Sequence, residues 1–151
     1  MLRAFALAFI IALASCAHTS AEPPLNYTAV PASETGKHTR GDYDGDGLID
    51  TADFFESNEG ALTLIVRRAA AANEPTEIWG GDIASFPYFE VRSTGPGRYR
   101  NLCHLYGPDC GGAPREVTLT HDGVVVVALE GPAEFLYYWD GQKFKNIIIS
   151  E

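Results

Sequence analysis

Val117-Thr118-Leu119-Thr120-His121-Asp122-Gly123-Val124-Val125-Val126-Val127-Ala128-Leu129 decides the fold class. Its first four residues alternate apolar and polar, the period of a strand with one wet face. Val124 to Leu129 is a continuous apolar run, short for a helix and rich in β-branched residues. That pattern suits a central strand buried on both faces. His121-Asp122-Gly123 between the two runs is a turn signal, and the spacing predicts a hairpin.

Outward from this stretch the pattern repeats. Phe135–Trp139 and Phe144–Ile149 flank Asp140-Gly141, a second predicted hairpin. Leu62, Leu64 and Val66 alternate with Thr63, Ile65 and Arg67. Ala69 to Asn73 could form one helical turn, and no window carries a sustained helical stripe. The 15 glycines, 9 prolines and 11% aromatic residues of the 151-residue chain agree with a turn-rich β domain. The expectation is a mainly β fold: a small antiparallel sheet, barrel-like or sandwich domain, with a calcium-binding loop between strands.

That loop is Gly41-Asp42-Tyr43-Asp44-Gly45-Asp46-Gly47-Leu48-Ile49-Asp50-Thr51-Ala52-Asp53-Phe54. Counted from Asp42, aspartates fall at positions one, three, five, nine and twelve. Gly47 stands at six, where a calcium loop turns sharply. Leu48 stands at seven, where a backbone carbonyl coordinates. Ile49 at eight is apolar, as expected of a residue that pins the loop to a core. Ca²⁺ is a hard ion that takes 6–8 oxygens, and alternating aspartates on a tight loop turn theirs inward. A solvated acidic turn would not need all of these features together. The expected cofactor is Ca²⁺, with ligands from Asp42, Asp44, Asp46, Leu48 and Asp50; Asp53 is either a further ligand or a bystander.

The loop matches the EF-hand calcium-loop pattern along its length, but no amphipathic helix enters it and a strand follows it. It resembles more closely the FG-GAP (VCBS)-type calcium loop, over Gly41 to Arg68. There a Gly-Asp-x-Asp-Gly-Asp-Gly-x-x-Asp turn joins β-strands and is followed by x-Ala-x-Phe, here Ala52 and Phe54. The resemblance implies a metal loop between strands and no helix pair to be switched. Such repeats form propellers of several blades. A single one here implies that the loop sits in another small β fold. Tyr137-Tyr138-Trp139-Asp140-Gly141-x-x-Phe144 is similar to the closing hairpin of small exported bacterial β domains. A packed aromatic core is the expectation for it, ahead of a ligand platform.

Met1 to Ser15 reads as an export signal: Arg3, then an apolar run to Ala14 that is too short to span a bilayer. Leu13-Ala14-Ser15-Cys16 resembles the lipobox of bacterial lipoproteins, which implies cleavage before Cys16 and its acylation. Cleavage after Ala21 is the alternative. Ala17 after the cysteine, by resemblance to the sorting pattern of such lipoproteins, implies the outer membrane, facing the periplasm. A soluble periplasmic or secreted protein is the other localisation. The expected organisation is a signal at 1–15, a flexible tether at 16–36 and the β domain at 37–151.

Two cysteines, Cys103 and Cys110, then remain in an oxidising compartment, and a short disulfide-closed loop is expected. A zinc site built on them and His104 lacks a fourth ligand. The chain holds 20 acidic and 11 basic residues, a formal charge of -9. Losing Arg3 with the signal makes it -10 (-9 - 1). Nucleic acid is excluded as an expected partner, because phosphate contacts need Lys and Arg. Membrane contact is expected through the lipid anchor only. Arg92, Arg98, Arg100 and Arg115 could bind an anion, but pairing with nearby carboxylates or solvation is expected on so acidic a chain. No nucleophile elbow, phosphate loop or His-Glu-x-x-His occurs. The expectation is a non-enzymatic binding or interaction module whose partner is an unidentified envelope protein or polymer. A periplasmic enzyme inhibitor or immunity-type protein and a small envelope hydrolase are the alternatives.

Overall fold

A computed structural model describes residues 27–29, 36–106 and 110–150. The expected signal, Cys16 and most of the expected tether lie outside them. Strands β1 (Tyr27–Ala29), β2 (His38–Gly41), β3 (Asp50–Ser57), β4 (Ala61–Arg67) and β5 (Thr76–Asp82) form one antiparallel sheet. β4 lies between β3 and β5. β1 and β2 share the other edge of β3, β1 against residues 55–57 and β2 against residues 50–53. β1 therefore carries a piece of the expected tether into the folded domain.

The second sheet has the order β11 (Phe144–Ser150), β10 (Glu134–Trp139), β9 (Gly123–Ala128), β6 (Phe89–Thr94). β7 (Gly97–Arg100) and β8 (Glu116–Leu119) pair with each other. The four-residue helix α1 (Cys103–Tyr106) lies between them in sequence, and two 3-10 turns occupy Ala69–Ala71 and Ile83–Tyr88. No helix among the described residues is long and apolar enough to cross a membrane.

The layers follow from strand periodicity, since successive side chains point to opposite faces. Phe54, Leu62, Leu64 and Val66 from the first sheet meet Val91, Val124, Val126 and Tyr137 from the second. Trp79 and Phe86 set their rings edge-on to Phe54, with centroids 5.7 and 6.2 Å away. The other face of the second sheet packs Val125, Leu136, Tyr138 and Ile147 under Val117 and Leu119 of β8. The second sheet is thus a middle layer, and the two-sided strand expected at Val124 is found there: residues 124–126 are fully buried.

Two expectations are corrected. His121-Asp122-Gly123 does not close a hairpin. β8 pairs with β7, β9 pairs with β10 and β6, and the turn is a corner between layers. The physical reason is that Val117 and Leu119 bury themselves across the face of β9 and not along its edge. The Asp140-Gly141 hairpin does form, with Trp139 opposite Phe144. Ile49, the expected pin to the core, is 63% exposed.

Candidate metal centre

The acidic loop runs from the end of β2 to the start of β3, so both of its ends are held in one ladder, with Gly41 opposite Asp50. The loop is pinned from within by Tyr43, which is fully buried in the inter-sheet core. Alternation explains the swap: with Asp42 and Asp44 turned to the centre of the loop, the residue between them points the other way. Burial pushes the Tyr43 hydroxyl up to about 12, against the lowering effect of the neighbouring Thr39 and Ser93 hydroxyls. Neither gives it a hydrogen bond of regular geometry.

Inside the loop, carboxylates take up backbone donors that a tight turn leaves unpaired. Asp42 accepts from Gly45 N at 2.8 Å and from Gly47 N at 3.1 Å. Asp44 accepts from Asp46 N at 3.3 Å, and Asp46 from Leu48 N at 2.7 Å. Gly47 has φ of +83°, a conformation that costs a side-chain-bearing residue and explains glycine at the sixth position. Asp50 is fully buried and accepts from Tyr43 N at 2.9 Å through one oxygen and from Ala69 N at 2.7 Å through the other. Burial is the main cause that raises its carboxyl above the usual range. Those two N–H groups act against the rise, and the charges of Asp44 and Asp46 add to it.

The structure brings Asp42, Asp44 and Asp50 together, with one oxygen from each lying within 4.8 Å of the others. Two oxygens on one Ca²⁺ are at most about 5 Å apart, because each sits at about 2.3–2.6 Å from the ion. The trio therefore fits a hard cation of that size. Asp46 is exposed and outside the trio, and Leu48 is 50% exposed at the tip beside Ile49. Asp53 lies on β3 with its carboxylate 3.9 Å from Arg67, away from the trio.

Three contributors were not legible from local spacing. Asp122, eighty positions from Asp42, accepts from Asp42 N at 3.1 Å and returns its own N–H to Asp42 O at 3.0 Å. Ala69 supplies a donor to Asp50. Arg68 lies 3.7 Å from Asp44 and 4.4 Å over the Trp139 ring. Trp139 also meets Phe144 at 5.2 Å, and Tyr137 and Tyr138 are buried, so the aromatic hairpin is packed as expected.

The remaining candidates resolve simply. Cys103 and Cys110 form a disulfide, which leaves neither thiol for zinc. Arg92 pairs with Glu134 at 2.8 Å and Arg98 with Glu116 at 2.5 Å; these are exposed pairs that contribute little to stability. Arg100 and Arg115 are exposed. No protein-family model matches the chain, and neither a curated protein nor a solved structure matches it.

Proposed function

We propose that the chain is a non-enzymatic, Ca²⁺-binding β domain, held at the bacterial envelope by a lipid on Cys16 and acting as a binding or interaction module. The observation that carries the metal reading is the convergence of Asp42, Asp44 and Asp50 on a loop whose ends are fixed in one sheet. The donor set is all oxygen, which suits Ca²⁺ or Mg²⁺, and Mg²⁺ gives up its waters reluctantly. In this reading Asp42, Asp44, Asp46 and Asp50 supply side-chain oxygens, Leu48 supplies its carbonyl, and water completes the shell. Asp53 stays with Arg67. The ion is structural: it offsets the mutual repulsion of the loop carboxylates and holds the turn between β2 and β3.

Calorimetric titration of chelator-stripped protein tests this. Heat of binding and a raised melting temperature are expected with calcium, and a poor response with magnesium. No calcium heat and no thermal shift at millimolar calcium would sink the proposal. The anchor is tested separately, because Cys16→Ser should release the protein from membranes.

A further inference from the structure

The crossover from β7 to β8 carries chemistry that the metal loop does not use. Cys103 opens α1, and its sulfur is joined to that of Cys110, with the Cα atoms 5.8 Å apart. His104 follows Cys103 in the chain, yet its ring reaches the other sulfur: Nδ1 lies 3.4 Å from Cys110 Sγ. His104 is exposed and both cysteines are half-buried.

The bridge is not the sole brace of this crossover. Asn101, 3% exposed, donates from Nδ2 to Pro114 O at 2.9 Å and accepts from Cys103 N at 3.0 Å. Asn101 N donates to Arg115 O at 2.9 Å, and Leu102 N to Ile148 O at 2.8 Å. These bonds hold both ends of the crossover without using the S–S bond. A bridge needed only for closure has no use for an imidazole against one sulfur, whereas an imidazolium beside a cysteine favours its thiolate.

We propose that Cys103–Cys110 is a thiol–disulfide exchange site for small external thiols, with His104 stabilising Cys110 as the leaving thiolate. A thiolate attacks Cys103 Sγ. The S–S bond breaks, a mixed disulfide forms at Cys103, and the electron pair departs on Cys110 Sγ. His104, through an N–H at Nδ1, donates to that sulfur. A second thiolate then attacks the external sulfur of the mixed disulfide, and Cys103 leaves and takes a proton. Two external thiols are oxidised to one disulfide, and the protein bridge is reduced by the same two electrons. Exchange is faster when the departing thiol has a low pKa, so His104 selects which sulfur leaves. None of this depends on the cation reading.

The test uses oxidised full chain and glutathione at neutral pH, with adducts located by mass spectrometry. The expected result is a first adduct at Cys103 while the near-ultraviolet spectrum stays that of the folded protein. His104→Ala should react about threefold more slowly, and His104→Asn repeats the comparison if alanine disturbs the short helix. In Cys103→Ser, the lone Cys110 thiol should lose about threefold in iodoacetamide rate when His104 is also replaced. Equal rates with and without His104, a first adduct at Cys110, or no reaction until the protein unfolds would each overturn the proposal.

Discussion

Two aspartate–glycine turns line one shallow groove, Asp44 from the loop before β3 and Asp140-Gly141 from the β10–β11 hairpin, and they treat charge in opposite ways. Asp140 is complete within its own turn. One oxygen accepts from Gln142 N and Lys143 N, and the other faces Lys145 Nζ at 2.7 Å. The Lys145 contact is the largest of the causes that hold its carboxyl well below the usual range. In the other turn, three carboxylates converge, one of them fully buried and pushed up by that burial. Backbone N–H groups orient these carboxylates, and the Arg68 guanidinium, 3.7 Å from Asp44, offsets only part of the charge of the three. The lesson is that a similar dipeptide, Asp-Gly, marks a closed turn where a lysine is at hand and an open electrostatic question where acids gather.

The comparison breaks first at Asp50. Asp50→Ala orphans Tyr43 N and Ala69 N while relieving a buried charge, and a net loss of about 3 kcal/mol is expected in chelator. Urea unfolding measures it, and a loss no larger than that of Asp140→Ala would erase the distinction between the turns. Next comes calcium itself. Ligand bound only to the folded state stabilises by about 2.7 kcal/mol at one hundred times Kd. Asp44→Ala should abolish the thermal shift and Asp140→Ala should keep it.

A smaller effect is expected in alkali. Burial pushes Tyr43 and Tyr137 each up to about 12, against about 10 when unfolded. A raised folded pKa keeps its stabilising contribution below the unfolded value and loses it as pH climbs through the folded one. Stability should fall between pH 10 and 12, by about 1 kcal/mol per tyrosine at pH 11. Absorbance that develops near pH 10 in folded protein and is lost in Tyr43→Phe or Tyr137→Phe would contradict the burial of that ring. The smallest effect belongs to Asp140→Asn. Its depressed pKa contributes above the ordinary carboxylate range and is lost as pH falls through the folded value. The variant and the parent should therefore converge in melting temperature in strong acid and differ only slightly at neutral pH.

Much of the strand content was legible because alternation and β-branched runs report burial directly. Leu62–Val66 and Phe135–Trp139 are where those patterns placed them. Layer assignment was not. Val117–Leu119 reads identically whether its neighbour lies beside it or across a face, and the corner at His121–Gly123 is decided by packing against Val125 and Leu136. At the candidate site, spacing pointed to Asp42, Asp44, Asp46, Leu48, Asp50 and, as ligand or bystander, Asp53, of which the fold brings the carboxylates of Asp42, Asp44 and Asp50 together. It misjudged Ile49, because apolarity at the tip says nothing about which way the tip faces. Asp122 and Arg68 come from distant turns that only the fold brings near.

The valines of β9 do not by themselves fix the register of that strand. In a strand with one wet face, a slip of one residue exposes apolar side chains and is punished. In β9 both faces are dry, and a slip would exchange Val124 and Val126 for Val125 and Val127, one valine set for another. Hydrophobicity therefore encodes no register there; the information sits at the boundary. At Gly123 a Cβ would come within 2.6 Å of Leu136 Cδ1 and 3.0 Å of Leu119 Cδ1. A frame that put a side chain at that crossing would have to displace the Leu136 and Leu119 methyls, so the glycine marks a register that the valines leave degenerate.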